Sequence, residues 1–434
     1  MKKQFHGLRI IPVVLVCLTA ALLTGCPLAP KVTVVYVNAN TAATKFAQDG
    51  LTWPTAFAEI QAGIDAAAAA GGGEVWVAKG TYAESRSSDP DGSLVMKPGV
   101  HVYGGFIGLE LVRHTEGCDY KETIIDGSNG RAGLVTPPVA PNAYHVIKGA
   151  DNATLDGFYI TGGDGTAAAG TSNMGAGMYN DSVSPTINNC AFYSNFAGFG
   201  GGMYNLNANP VITKCRFENN VGLAIAGAIY NDASAPDISR SLFINNVGIT
   251  MGGAMSNLNG SAPVVTSCQF LLNQAAALGG AMFNGTSTVT LTNCVFAYGI
   301  AYSAAGGVYN AASSVDILNC VFYANYVAGT GGAIVDDGTD TRIVNTIFRS
   351  NEATASDVDI TGVVDITYSC TQSGIPGIGN IVANPLFVDE LDGNFQLRPG
   401  SPCIDTGTPV GTPTVDIRDH PRPQGANVDM GVFE

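Results

Sequence analysis

Between Gly177 and Asn351 the chain repeats about every 26 residues, and a repeat of that length restricts it to a solenoid, a propeller or an array. Each unit carries two short signatures. One is a small, small, apolar, aromatic, Asn run, seen at Gly201–Asn205 (GGMYN), Gly227–Asn231 (GAIYN), Gly280–Asn284 (GAMFN) and Gly306–Asn310 (GGVYN). The other is Phe-x-x-Asn, whose phenylalanines at 192, 217, 243, 270, 296, 322 and 348 step by 25, 26, 27, 26, 26 and 26 residues. Only Phe296 lacks the Asn, with Gly299 in its place.

Leucine-rich, ankyrin and tetratricopeptide arrays need patterns that are missing here, and propeller blades are longer, at about 40–50 residues. A unit of this size holds three strands of about four to six residues and three turns, one coil of a parallel β-helix, with equivalent residues stacked about 4.8 Å apart. Asn195, Asn220, Asn246, Asn273, Asn325 and Asn351 are then expected to form one amide ladder. Asn180, Asn205, Asn231, Asn257, Asn284 and Asn310 are expected to form a second. Cys190, Cys215, Cys268, Cys294 and Cys320 each precede the ladder Phe by two residues, as expected of inward free thiols, while Cys370 with Cys403 is the better pair for a bridge.

The ends differ from the middle. Residues 1–26 read as an export signal: Lys2, Lys3 and Arg9, an apolar Ile10–Leu23, then Leu23-Thr24-Gly25-Cys26. That last run resembles a bacterial lipobox, which implies acylation at Cys26, a membrane anchor, and an outer-membrane or cell-surface location. Residues 27–163 are expected to form an N-terminal cap and first coils, with a helix over Trp53–Ala70; 164–351 form the regular coils; 352–434 form the last coils and an irregular cap. The formal charge of −15 becomes −18 once Lys2, Lys3 and Arg9 are removed, which excludes nucleic acid as a partner.

The repeats, with Val75–Tyr82 and Ala153–Gly163 before them, resemble right-handed parallel β-helix proteins, among them polymorphic outer-membrane proteins. Gly379–Asp389, Leu397–Gly407 and Val428–Glu434 resemble the choice-of-anchor Q region of surface proteins. The resemblance implies an all-β, pectin-lyase-like solenoid at the cell surface with a structural, adhesive or glycan-binding role, the alternative being a polysaccharide lyase or glycoside hydrolase.

Signals for chemistry are sparse, and no catalytic residue is assigned. Lys214 and Arg240 are expected as vertical neighbours, the best basic pair for a lyase, but without a carboxylate cluster beside them. Asp336, Asp337 and Asp340 form one acidic corner that could take Ca²⁺ or serve as a polar turn; no other cofactor is expected. Asp316 and Arg342, 26 apart, are expected to pair across coils. Tyr179, Tyr204, Tyr230, Phe283 and Tyr309 share a position just after an always apolar residue, so alternation points the rings outward. Such a row is either a sugar-stacking face or a self-supporting stack.

Overall fold

A side chain that recurs once per coil lands on its own kind one coil later, and the phenylalanines show it. In the computed structural model, Phe192, Phe217, Phe243, Phe270, Phe296, Phe322 and Phe348 are fully buried and stacked, with ring centroids 4.6 to 5.1 Å apart. The structure describes residues 33–43, 47–83, 93–113, 120–128, 142–166, 170–355 and 358–434. Cys26 and the rest of the expected export signal lie outside the described residues.

Val34–Glu434 is a right-handed parallel β-helix. Its strands form three long sheets of 20, 10 and 7 strands, all parallel and each pairing with its counterpart one coil on. The coil differs from expectation in having four short segments rather than three longer strands: Met178–Asp181, Thr186–Asn188, Ala191–Tyr193 and Phe196–Phe199 in one typical case. Left-handed corners divide them, at Ser182 (φ +56°), Asn189 (φ +47°) and Ser194 (φ +51°). The first two segments belong to the first sheet, where the continuous strand Ile334–Val344 spans both; the third and fourth build the second and third sheets.

Both amide ladders form. Asn180, Asn205, Asn231, Asn257 and Asn284 each donate from Nδ2 to the next Oδ1 at 2.7 to 2.8 Å. In the second ladder Asn195, Asn220 and Asn246 do the same at 3.0 to 3.1 Å. Gly299 interrupts that ladder, yet its own N–H donates to Asn325 Oδ1 at 3.0 Å, so the next rung is still satisfied.

The five stacked cysteines are free thiols that donate to backbone carbonyls, as Cys190 does to Asn188 O at 3.2 Å. Burial pushes the Cys190, Cys268 and Cys320 thiols well up and Cys215 up to about 12, which suits inert core packing and opposes thiolate chemistry.

The N-terminal helix is shorter than expected, a 3-10 turn at Trp53–Thr55 and an α-helix at Ile60–Ala69. Ile60, Ile64 and Ala67 bury against the first strands, Val34–Val37 and Gly73–Ala78. Gly72 ends this helix at φ +108°, where a Cβ would meet Gly99 O at 2.8 Å. At the other end, an antiparallel hairpin, Phe387–Asp389 with Asn394–Leu397, and the segment that follows fold back over the second sheet.

Candidate functional site

The second sheet presents three-residue strands in which the middle side chain faces the core and its two neighbours face outward. One outward column runs Ile124, Tyr159, Ala191, Arg216, Leu242, Gln269, Val295, Val321, Ile347. The other runs Thr161, Tyr193, Glu218, Ile244, Leu271, Ala297, Tyr323. Toward the C-terminal end these columns are apolar and covered: Val295, Ala297, Val321, Tyr323 and Ile347 pack under Phe387, Phe395, Met430 and Val432. Arg240, at the corner leading into this sheet, pairs with Asp419 of the cap.

What the cap leaves open is a groove of about 530 Å³ lined by Tyr120, Lys121, Ile124, Tyr159, Ala191, Tyr193, Arg216 and Glu218. The 3-10 turn Tyr120–Glu122 forms one wall. Tyr159 and Tyr193 lie with ring centroids 5.4 Å apart at 32°, a tilted aromatic platform. Beside it Arg216 Nε donates to Glu218 Oε2 at 2.6 Å, with both side chains partly exposed. Burial, then Tyr193 and Glu218, push the Tyr159 phenol well above its ordinary value. It therefore remains an O–H at neutral pH, a donor and acceptor for hydroxyl groups rather than a base. Glu218 raises the Arg216 guanidinium further, fixing its charge.

A hydrolase needs two carboxylates across one groove. Among the described lining residues there is one, Glu218, and Arg216 already holds it. The lining offers stacking, a fixed cation, the Lys121 ammonium and neutral phenols.

The residues singled out from sequence lie elsewhere. The aromatic row does point away from the interior, opposite Met178, Met203 and Ile229, but it is not on the surface. Tyr204, Tyr230 and Phe283 are only 4%, 7% and 6% exposed, and Tyr179 and Tyr309 are half-buried. Phe199, Ile225 and Leu258 pack over Tyr204 and Tyr230, while Leu278 and Tyr309 pack against Ala304, Ala305 and Val335, so of the two arrangements expected for this row the structure has the covered stack and not an open face. Tyr204 and Tyr230 lie 4.9 Å apart and nearly parallel, and Tyr204 OH donates to Asp232 at 2.9 Å.

The acidic corner also separates. Asp336 is buried and accepts from Asn310 and Thr341, Asp337 accepts from Tyr309 OH, and Asp340 is exposed. Among the described residues no group of three His, Cys, Asp or Glu side chains is arranged to hold a metal ion. Lys214 and Arg240 do occupy equivalent left-handed corners, φ +54° and +50°, but the Asp419 pairing leaves no free basic pair there. Arg342 meets Asp316 one coil below at 3.4 Å, as the spacing predicts.

The groove was missed because its residues do not repeat. Tyr159 and Tyr193 sit in different columns, and the signal that could have found them is the pair of positions flanking Phe192 and its counterpart Ile160 one coil earlier.

No family model matches the chain. It is 38% identical over 114 residues to mannuronan C5-epimerase AlgE4 of Azotobacter vinelandii, covering 25% of this chain and 20% of that one. It is 36% identical over 104 residues to alginate lyase 7 of the same organism, covering 23% and 12%. The chain thus spans at most a fifth of the length of these curated relatives. Pectate lyase Pel9A superposes with a TM-score of 0.53 at 14% identity, over 92% of this chain and 96% of that one. By that likeness the fold is the parallel β-helix of pectate lyase.

Proposed function

We propose that this protein is a cell-surface glycan-binding β-helix, tethered through an acylated Cys26, that lays a polysaccharide strand along the open groove of its second sheet. The observation that carries the reading is the Tyr159–Tyr193 platform beside Arg216 and Lys121, which the C-terminal cap does not cover. Flat rings suit the apolar faces of pyranose units, and phenol and guanidinium groups suit their hydroxyls and carboxylates. The pectate-lyase-type fold and the short stretches shared with a mannuronan epimerase and an alginate lyase support a sugar polymer as ligand. Acidic polymers are favoured over neutral ones, because the lining carries two cations, Arg216 and Lys121, against the single carboxylate Glu218, on an otherwise acidic chain.

The test is affinity electrophoresis of the purified protein through gels cast with alginate, pectate or a neutral glycan, alongside an assay for new unsaturated or reducing ends. Retardation without new ends supports binding; release of ends would replace this reading with a lyase or hydrolase.

A further inference from the structure

We propose that Cys370 and Cys403 form a disulfide that staples the C-terminal cap to the solenoid, a modification independent of what the groove binds. Cys370 belongs to the last turn of the helix, where it bridges to Ile347 below and Ile381 above. Cys403 belongs to the cap, and its carbonyl accepts from Met430 N–H at 3.0 Å. Both side chains are fully buried and share one apolar cluster with Phe387, Phe395, Met430 and Val432.

These two free thiols are in side-chain contact with each other, and Cys370 also donates to Ala383 O at 3.4 Å. In the stack, Cys190, Cys215, Cys268, Cys294 and Cys320 donate to backbone carbonyls of neighbouring strands. Cys294 and Cys320 also touch, but they occupy equivalent positions on adjacent coils, one strand spacing of about 4.8 Å apart, wider than the Cβ separation of about 3.8 Å that a disulfide takes. Contact with Cys403 holds the Cys370 thiol below its ordinary value, which favours Cys370 as the attacking thiol and Cys403 as the resolving one.

The oxidant is a small disulfide of the glutathione class. Cys370 Sγ attacks one of its sulfurs and releases a first thiol, leaving a mixed disulfide. Cys403 Sγ then attacks Cys370 Sγ and releases a second thiol. Two protein thiols lose two protons and two electrons, and the reagent is reduced to two thiols. Since both cysteines are buried, exchange proceeds as the cap closes or during its transient opening.

The full-length protein, incubated with oxidised glutathione, is denatured in alkylating reagent and mapped by mass spectrometry. The expected result is one linkage, Cys370 to Cys403, with all five stack cysteines alkylated. Alkylation of both Cys370 and Cys403, or their linkage to other cysteines, would overturn the proposal. Limited trypsin digestion supplies the second readout. Oxidation is expected to slow cleavage in the cap, after Arg398 and Arg418, at least several-fold, and Cys403→Ser to abolish that protection. Equal cleavage before and after oxidation of the wild type would overturn the stapling role.

Discussion

Asn310 donates from Nδ2 to Asp336 Oδ1 at 3.3 Å, and with that contact the first amide ladder ends. From Asn205 to Asn284 every rung both accepts from the Asn below and donates to the one above. One coil on from Asp336 stands Gly362, which offers no side-chain acceptor. A terminal rung therefore needs only to accept, and a carboxylate that also takes the Thr341 hydroxyl at 2.7 Å does so.

This makes the role of Asp336 testable. Asp336→Asn keeps an acceptor oxygen and should leave stability nearly unchanged. Asp336→Ala takes the acceptor from the buried Thr341 hydroxyl and leaves Asn310 only Thr341 Oγ1 at 3.4 Å, and should cost about 1–3 kcal/mol. Denaturant unfolding with and without Ca²⁺ checks both, and a large stabilisation by Ca²⁺ that Asp336→Asn removes would restore the metal reading.

The covered aromatic row gives a second expectation. Tyr230 stacks on Tyr204 under Phe199 and Ile225, so truncation empties packed space. Tyr204→Ser with Tyr230→Ser should each cost about 3 kcal/mol, as buried aromatic truncations do. Thermal unfolding reads the loss; an unchanged midpoint would mean the rings are free after all. Ser256, at the same register as Tyr230, already shows the position without a ring, its hydroxyl donating to Met251 O at 3.4 Å.

A third concerns pH. Burial pushes the Asp429 carboxyl in the cap up to about 6 from 3.8. Between those values the folded chain keeps a proton that the unfolded chain has released, so the contribution is present at low pH and lost as the pH rises through about 6. Asp429→Asn can still accept from Asp405 N–H and should remove this dependence, gaining about 1 kcal/mol over wild type at neutral pH after allowance for screening. Urea midpoints from pH 4 to 7 provide the check; parallel profiles for the two proteins would contradict it.

Anchoring is tested in cells. Cys26→Ser should move the protein from the membrane to the soluble fraction, since the acyl chains would be lost. Persistent membrane association would count against the lipobox.

The repeat made much of the fold legible. Phe270 had to stack on Phe243 because an aromatic that recurs in register meets its own kind one coil on, and Asn246 had to find Asn273 for the same reason. Division of each coil into four segments was hidden because its corners fall on unremarkable residues such as Ser194 and Leu272, held at positive φ by their neighbours. Burial of Tyr204 was equally hidden: alternation gives the side of a strand but not what lies over it, and Phe199 and Ile225 come from another segment of the coil. The groove depends on where the cap stops along the second sheet, which no local pattern near Tyr159 or Arg216 encodes.

The central claim rests on Tyr193 and Arg216, which face the groove without supporting the core. The most direct measurement is the alginate and pectate affinity of wild type and of Tyr193→Ala with Arg216→Ala, with thermal unfolding run in parallel. Binding to at least one acidic polymer is predicted to fall by about tenfold or more, equivalent to about 1.4 kcal/mol, with little change in the unfolding midpoint. Equal affinity for both proteins, or no binding by wild type, would contradict the account.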